Sequence, residues 1–274
     1  MIPLEDNASD ILGKAQRGLT LSDSELAQKA GVEVSQVRQL REGEYDDAAI
    51  RAVAPVLDLN AEALLELAHN RWRPEAIAAL DGLAQFNTPY HDMTVNAYLV
   101  WDPASRVAVA FDTGADCSEM LARIAREKLQ VKLILLTHSH PDHIEDLPKR
   151  RRETGAPVFI SVLESAEGAA GIEEGKSFEC GALRIQSRLT SGHSRGGMTF
   201  FVQGLARPLA LVGDSLFAGS MGGGAVSYAD ALRNNREKIL TLPNETIVCP
   251  GHGPLTTVGK EKAQNPFFAG RVGR

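Results

Sequence analysis

Apolar residues in the first seventy positions recur at helical spacing, with polar capping residues between the apolar runs. Asp6 or Ser9 is expected to cap a first helix that ends near Gly18, and Ser22 opens a capping arrangement ahead of the second. Further helices are predicted over residues 34–41, 47–57 and 60–68. Residues 1–70 are therefore predicted to be entirely helical.

The pattern changes at residues 71–74, where Pro74 cannot continue a preceding helix. Two domains are therefore predicted, a helical module over 1–70 and a larger body over 71–274. Beyond the boundary, short apolar runs predict strands at 95–100, 106–111, 131–136, 157–162, 183–189, 198–203, 208–213 and 246–249. Helices are predicted over residues 117–130 and 144–153. This alternation of strands and helices is typical of a layered α/β body.

The composition narrows the class of protein. The chain has 274 residues, of which 43% are hydrophobic, enough for one sizeable core with a small satellite domain. Its three cysteines are far apart and odd in number, which argues against a disulfide framework and favours a reducing cytoplasm. The N-terminal residues do not form a signal peptide, and no apolar run is long enough to span a membrane.

The strongest chemical signal is the segment 131–143, VKLILLTHSHPDH. A short apolar run predicts a strand buried on both faces, and four potential metal ligands follow it: His138, His140, Asp142 and His143. His138 and His140 would point the same way in an extended segment, because the side-chain period of a strand is two. Pro141 then redirects the chain, so one strand end could serve two neighbouring ions.

Three further potential ligands each follow a predicted strand. They are His193, Asp214 and His252. Ligands from separate strand ends that converge on one rim are what a metal crevice needs. The basic run Lys149 to Arg152 lies on a predicted helix, and it indicates either a solvated helix face or a patch that steers an anionic substrate.

The ordered set THSHPDH, Gly192-His193, Gly213-Asp214 and Gly251-His252 resembles the signature of the metallo-β-lactamase fold superfamily over about residues 80–265. The resemblance implies an αββα sandwich with metals at one edge. It places His138, His140 and His193 on a first ion and Asp142, His143 and His252 on a second, with Asp214 as the bridge. It gives Asp142 a catalytic role as well, and it makes Asp112 the residue that orients ligands.

Imidazole and carboxylate ligands suit two divalent ions, Zn²⁺ first, with Fe or Mn as alternatives. The reaction implied is hydrolysis by a hydroxide that bridges the two metals.

Within the superfamily, the segment GDSLFAGS at 213–220 and the ending CPGHGPLTT are similar to glyoxalase II, which hydrolyses thioesters such as S-lactoylglutathione. Two departures concern glutathione: the relatives' Arg after GSxG is replaced by Met221-Gly222-Gly223-Gly224, and their C-terminal glutathione-binding helices have no counterpart before Arg274. The glycines would make room for a larger acyl group or form a flexible loop. The lactonase and persulfide dioxygenase branches remain alternatives, although Phe217 stands where lactonases have Tyr.

Residues 22–44 resemble the helix-turn-helix of Cro and phage repressors, in which Ser35, Gln36, Arg38 and Gln39 would face the DNA major groove. Residues 1–70 carry six cations and thirteen acids, a net charge of −7, which disfavours contact with phosphates. We therefore expect this module to mediate assembly into a homo-oligomer, and we expect its removal to leave the metal chemistry intact. A metabolite-sensing DNA-binding regulator is the alternative function.

Overall fold

A computed structural model describes residues 2–270. Five helices come first: α1 (Ala8–Gly18), α2 (Asp23–Ala30), α3 (Val34–Glu42), α4 (Asp47–Val56) and α5 (Ala61–Ala68). The later helices are α6 (Ser118–Glu127), α7 (Pro141–Ile144), α8 (Leu147–Thr154), α9 (Tyr228–Asn234) and α10 (Val258–Gln264). A π-helical turn, Asn235–Ile239, continues α9.

Twelve strands form two sheets of six. The first sheet has the order β1 (Leu83–Tyr90), β2 (Met93–Trp101), β3 (Val107–Phe111), β4 (Gln130–Leu135), β5 (Val158–Ser161) and β6 (Ala169–Ile172). The second has the reverse order, from β12 (Thr256–Thr257) through β11 (Ile247–Pro250), β10 (Leu209–Gly213), β9 (Met198–Gln203) and β8 (Leu183–Leu189) to β7 (Ser177–Cys180).

Among the described residues, three apolar cores lie between neighbouring layers and hold them together. One lies between the sheets and joins residues such as Phe111 and Phe200, whose rings are 5.7 Å apart. A second packs Met120 of α6 and Leu147 of α8 on the outer face of the first sheet. The third covers the outer face of the second sheet with helical residues. The architecture is thus helix, sheet, sheet, helix, as the αββα sandwich requires.

The five N-terminal helices share this third core with the second sheet. Ile11 and Leu64 belong to the same buried cluster as Val212 of β10 and Phe268 near the C-terminus. Backbone hydrogen bonds also cross the predicted boundary, since the Asn60 amide donates to the Pro266 carbonyl at 2.8 Å. The division at residue 70 remains a prediction, but the two parts are joined by a continuous apolar interface.

Local capping largely follows the sequence, with one correction. Ser22 caps α2 in a capping box with Glu25, as predicted. The cap of α1 is Asn7, whose side chain accepts from the amides of Ser9 and Asp10, so the expectation of Asp6 or Ser9 was wrong. Asp6 is instead buried and bonded elsewhere, which removes it from the capping role.

Two other expectations need correction. Strand β4 was expected to be buried on both faces, but only Ile134 and Leu135 are buried while Gln130 and Lys132 are exposed. The basic run is neither a uniform solvated face nor a uniform steering patch, because Arg150 is 0% exposed. Lys149 is partly exposed and contacts Asp146 and Ser118, and Arg151 and Arg152 also lie near the surface.

All three cysteines are buried and none forms a disulfide. No helix in the described part of the chain, residues 2–270, has the length and apolar character needed to cross a bilayer.

Candidate metal centre

The structure brings all seven sequence-predicted ligand residues to one edge of the sandwich. Strands β10 and β11 are parallel, so Asp214 and His252, which follow them, emerge at the same edge. The segment after β4 supplies two histidines, the short helix α7 supplies Asp142 and His143, and the loop after β8 supplies His193. Their donor atoms form two neighbouring clusters.

The first cluster has three imidazoles at close range. His140 Nδ1 lies 3.1 Å from His138 Nε2 and 3.0 Å from His193 Nε2. Asp214 Oδ2 is 3.4 Å from His193 Nε2. A tetrahedral zinc ion with bonds of about 2.0–2.1 Å separates its nitrogen ligands by about 3.3 Å. The spacing of these nitrogens therefore fits a single metal ion.

The second cluster combines two imidazoles with a carboxylate. Asp142 Oδ2 is 3.3 Å from His252 Nε2 and 3.5 Å from His143 Nε2. Asp214 also reaches this cluster, with Oδ1 3.2 Å from His143 Nε2 and Oδ2 3.4 Å from His252 Nε2. Because Asp214 contacts both clusters, it has the position of a bridging ligand.

His143 Nε2 and Asp214 Oδ1 are both buried and lie 3.2 Å apart, and within the described residues neither atom makes a hydrogen bond of acceptable geometry. Burying polar atoms without partners is costly, and groups left so in a folded protein call for an explanation. Coordination of a cation by both atoms satisfies them, so the donor set fits a divalent metal.

For His143, His193 and His252, hydrogen bonds on the far side of the ring fix which nitrogen faces the crevice. Asp112 Oδ2 is 2.9 Å from His143 Nδ1, and Asp112 Oδ1 accepts from the Thr137 amide at 2.7 Å. The Thr94 carbonyl accepts from His252 Nδ1 at 2.7 Å, and the Gly223 carbonyl accepts from His193 Nδ1 at 3.1 Å. Outer contacts of this kind orient metal-binding histidines.

The contacts from Thr94 and Gly223 were missed by the sequence reasoning. Both contacts are made by backbone carbonyl oxygens, which every residue possesses, so no side-chain pattern could have predicted them.

The electrostatics of the two clusters differ. The pKa of His138 lies well below its usual range, because burial lowers it and the charges of the neighbouring imidazoles lower it further. Burial has the same effect at His143, but Asp214 and Asp112 overcome it and raise the pKa of His143 to about 10. Burial acts to raise the pKa of Asp214, yet the charges of His252 and His143 hold it well below its ordinary value. The carboxylates thus provide a site already prepared for positive charge.

The segment Met221-Gly222-Gly223-Gly224 packs against the crevice. A Cβ added to Gly222 would lie 1.8 Å from the Asp214 carbonyl oxygen and 3.2 Å from His193 Nδ1. At Gly224 it would lie 2.4 Å from Tyr228 Cα, whereas at Gly223 it would meet nothing within 4 Å. The expectation of a flexible or roomy loop was therefore wrong at Gly222 and Gly224, where close backbone packing requires glycine.

Comparison with known proteins identifies a family for the body of the chain. The model of the metallo-beta-lactamase superfamily matches residues 92–252. The hydroxyacylglutathione hydrolase GloC of Haemophilus influenzae is 28% identical over 198 residues, which make up 63% of this chain and 92% of GloC.

Two solved structures are also similar. The BLEG-1 B3 metallo-beta-lactamase has a TM-score of 0.60 and 31% identity, covering 68% of this chain and all of that one. TTHA1623 in a di-iron-bound form has a TM-score of 0.55 and 29% identity, covering 67% of this chain and all of that one. The matched family region begins after the five helices, which leaves their role to be argued from their contacts.

Proposed function

The chain belongs to the metallo-β-lactamase superfamily, and from that premise we propose that it is a dinuclear metal-dependent hydrolase of thioesters or related esters. One observation carries the proposal: two clusters of ligand atoms lie side by side, and Asp214 reaches both. If both clusters hold a cation, this edge would supply the Lewis-acid chemistry that ester hydrolysis needs.

We assign His138, His140 and His193 to the first ion and Asp142, His143 and His252 to the second, with Asp214 shared. Two divalent ions in this crevice supply an activated water molecule near neutral pH and polarise the carbonyl that it attacks. The donor set contains nitrogen and oxygen only, which suits Zn²⁺, Fe or Mn. The di-iron state of TTHA1623 supports including iron among the metals tested.

The protein's own groups orient the ligands and handle the proton. Asp112 and the Thr94 carbonyl hold His143 and His252 with Nε2 toward the crevice. The Asp142 side chain is 13% exposed and that of Asp214 is 8% exposed, so Asp142 is the more accessible carboxylate. We propose that the Asp142 carboxylate accepts the proton released during attack and passes it to the leaving group.

The thioester assignment is supported by the GDSLFAGS segment and by the similarity to GloC. Phe217 packs edge-on to the His252 ring at 5.8 Å and has no hydroxyl to donate, which disfavours a lactonase that relies on a phenol there. The similarity to BLEG-1 makes β-lactam hydrolysis the second candidate.

A substrate panel on metal-loaded protein tests this proposal. It contains glutathione and simple alkyl thioesters, lactones, a β-lactam and a phosphodiester, and we expect the highest kcat/KM with thioesters. His140→Ala should lower that rate by about a thousandfold or more, since several kcal/mol of transition-state stabilisation are lost with a metal ligand. His69→Ala, at the end of α5, is the matched control and should retain full activity. Hydrolysis of thioesters at an unchanged rate by His140→Ala would overturn the proposal.

A further inference from the structure

The N-terminal segment lies directly against the loop that carries His252. A Cβ added to Gly253 would be 3.3 Å from the Glu5 amide nitrogen and 3.6 Å from the Pro3 carbonyl oxygen. Glu5 is half-buried at this contact, and its carboxylate interacts electrostatically with His252 and Asp214. Burial raises the pKa of the Glu5 carboxyl, although the charge of His252 opposes this effect, and the N-terminal segment thus places an acidic residue beside the loop of the metal centre.

Helix α1 is fastened to the other wall of the same region. Lys14 Nζ donates to the Met221 carbonyl at 2.9 Å, and Asp6 Oδ2 accepts from both Lys14 Nζ and Ser220 Oγ at 2.5 Å. These contacts are largely buried, because the side chains of Lys14 and Asp6 are 14% and 7% exposed. Residues far apart in sequence are thus bonded together next to segment 221–224.

This contact continues to the metal ligands through packed groups. Lys14 Nζ lies 5.1 Å from the centre of the Phe217 ring, which in turn packs against His252. The next residue after Met221 is Gly222, whose close contact with Asp214 and His193 leaves no space for a side chain. The helical region therefore supports the loop that holds His193.

The charges at this wall have a definite sign. The Lys14 ammonium forms an ion pair with Asp6 and donates a hydrogen bond to the Met221 carbonyl. Asp6 therefore largely neutralises the positive charge of Lys14. No arginine stands in segment 221–224 to receive an anionic group. Glu5 adds a further acidic group to this side, and like charges within a Debye length of about 8–10 Å repel.

We propose that the N-terminal segment and α1 form one wall of the substrate site, and that Glu5 selects against ligands with an anionic group on that side. The inference deepens the proposed function, on whose metal centre it rests. The substrate class is then a thioester whose groups beside Glu5 are neutral or cationic, in contrast to glutathione thioesters with their two carboxylates. The helical region thus supports the metal site.

The test compares two thiols of similar size that differ in charge, mercaptoacetate and 2-mercaptoethanol. Each binds the Co²⁺-loaded full chain through sulfur, and the thiolate-to-cobalt charge-transfer band reports its Kd without any turnover. In Glu5→Gln the ratio of the mercaptoacetate Kd to the mercaptoethanol Kd should fall by about three- to tenfold, and in Glu5→Lys by more. Glu44→Gln, an exposed acid in the same helical region, is the control and should leave the ratio unchanged.

An unchanged ratio in both Glu5 variants, with cobalt bound and the thermal transition retained, would overturn the inference. A shifted ratio in a protein that hydrolyses no thioester supports the charged wall and contradicts only the proposed substrate class. A wild-type chain that binds no cobalt contradicts the metal centre and this inference together.

Discussion

The metal edge and the N-terminal helices both carry a recognisable sequence motif, yet the two motifs differ in how much they predict. At the metal edge the motif residues face one another across a crevice and their chemistry is determined by that contact. In the helices the motif predicts the local fold, but residues 1–70 carry a net charge of −7, and Arg38 lies 3.4 Å from Asp23. A motif made of mutually contacting chemical groups is thus better evidence of function than one made of helix-forming positions.

Removal of residues 1–70 is the most severe test of this comparison. The sequence alone led us to expect that the metal chemistry would survive, but the shared core reverses that expectation. The truncated body would expose the apolar face of the second sheet, and we expect aggregation or loss of cooperative folding. Size-exclusion chromatography and circular dichroism provide the measurement.

A single substitution in the shared core tests the same interface without removing the helices. Leu64→Ala, at a 0% exposed position in the shared core, should lower the unfolding free energy by about 2–5 kcal/mol. Calorimetry should still show a single transition for the whole chain. Two separate transitions, with only the first shifted, would mean that the helices are an independent domain.

Asp112→Ala tests whether the outer contacts of the histidines contribute to metal binding. The variant leaves His143 Nδ1 and the Thr137 amide without their partner, and we expect metal affinity to fall by about 10- to 100-fold. Competition with a chromophoric chelator measures the affinity. Asp116→Ala, at an exposed carboxylate beyond the same strand, should match the wild type.

The glycine pair 222 and 223 offers a matched comparison at adjacent positions. Gly222→Ala should cost about 1–3 kcal/mol through overpacking and should displace His193, lowering the rate of hydrolysis. Gly223→Ala should be close to neutral because its Cβ would enter open space. Equal behaviour of the two variants in thermal melts and rate assays would show that the loop is not held as described.

Several features of the fold were predictable because they depend on local chemistry. The bounds of β8 and β9 and the Ser22 cap agree with the sequence pattern. Strand β1 was missed, since its Gln, Asn, Thr and Pro residues lack an apolar pattern and its conformation depends on pairing with β2. The burial of Arg150 was missed as well, because a run of four cations gives no sign of which one faces inward. Long-range packing determined both.

The candidate site was predictable to a similar extent. Its seven ligand residues were proposed from motif and spacing, and the structure places them together. The contact of Glu5 and Lys14 with the same edge was not predicted, because it joins residues more than two hundred positions apart.

Glu261, a buried residue of α10, provides a pH-dependent prediction. Burial raises its pKa to about 7, against hydrogen bonds from Thr256, Asn265 and the Gly219 amide. The folded pKa exceeds the ordinary 4.5, so the stabilising contribution is complete below pH 4.5 and is lost as the pH rises to 7.

This contribution is measured by urea unfolding of the wild type and of Glu261→Gln at pH 5 and pH 8. At each pH, the unfolding free energy of the variant is subtracted from that of the wild type. The difference should decrease with pH by up to about 3 kcal/mol. A difference that is constant or increases with pH would contradict the assigned protonation.

The most direct test of the central claim is a titration of metal-free protein with Zn²⁺, in which bound metal per chain and thioester hydrolysis are measured in the same samples. We expect that activity is absent without metal, reaches its plateau at two bound ions per chain, and does not appear in His140→Ala at any occupancy. Full hydrolysis by metal-free protein, or a plateau that His140→Ala also reaches, would contradict it.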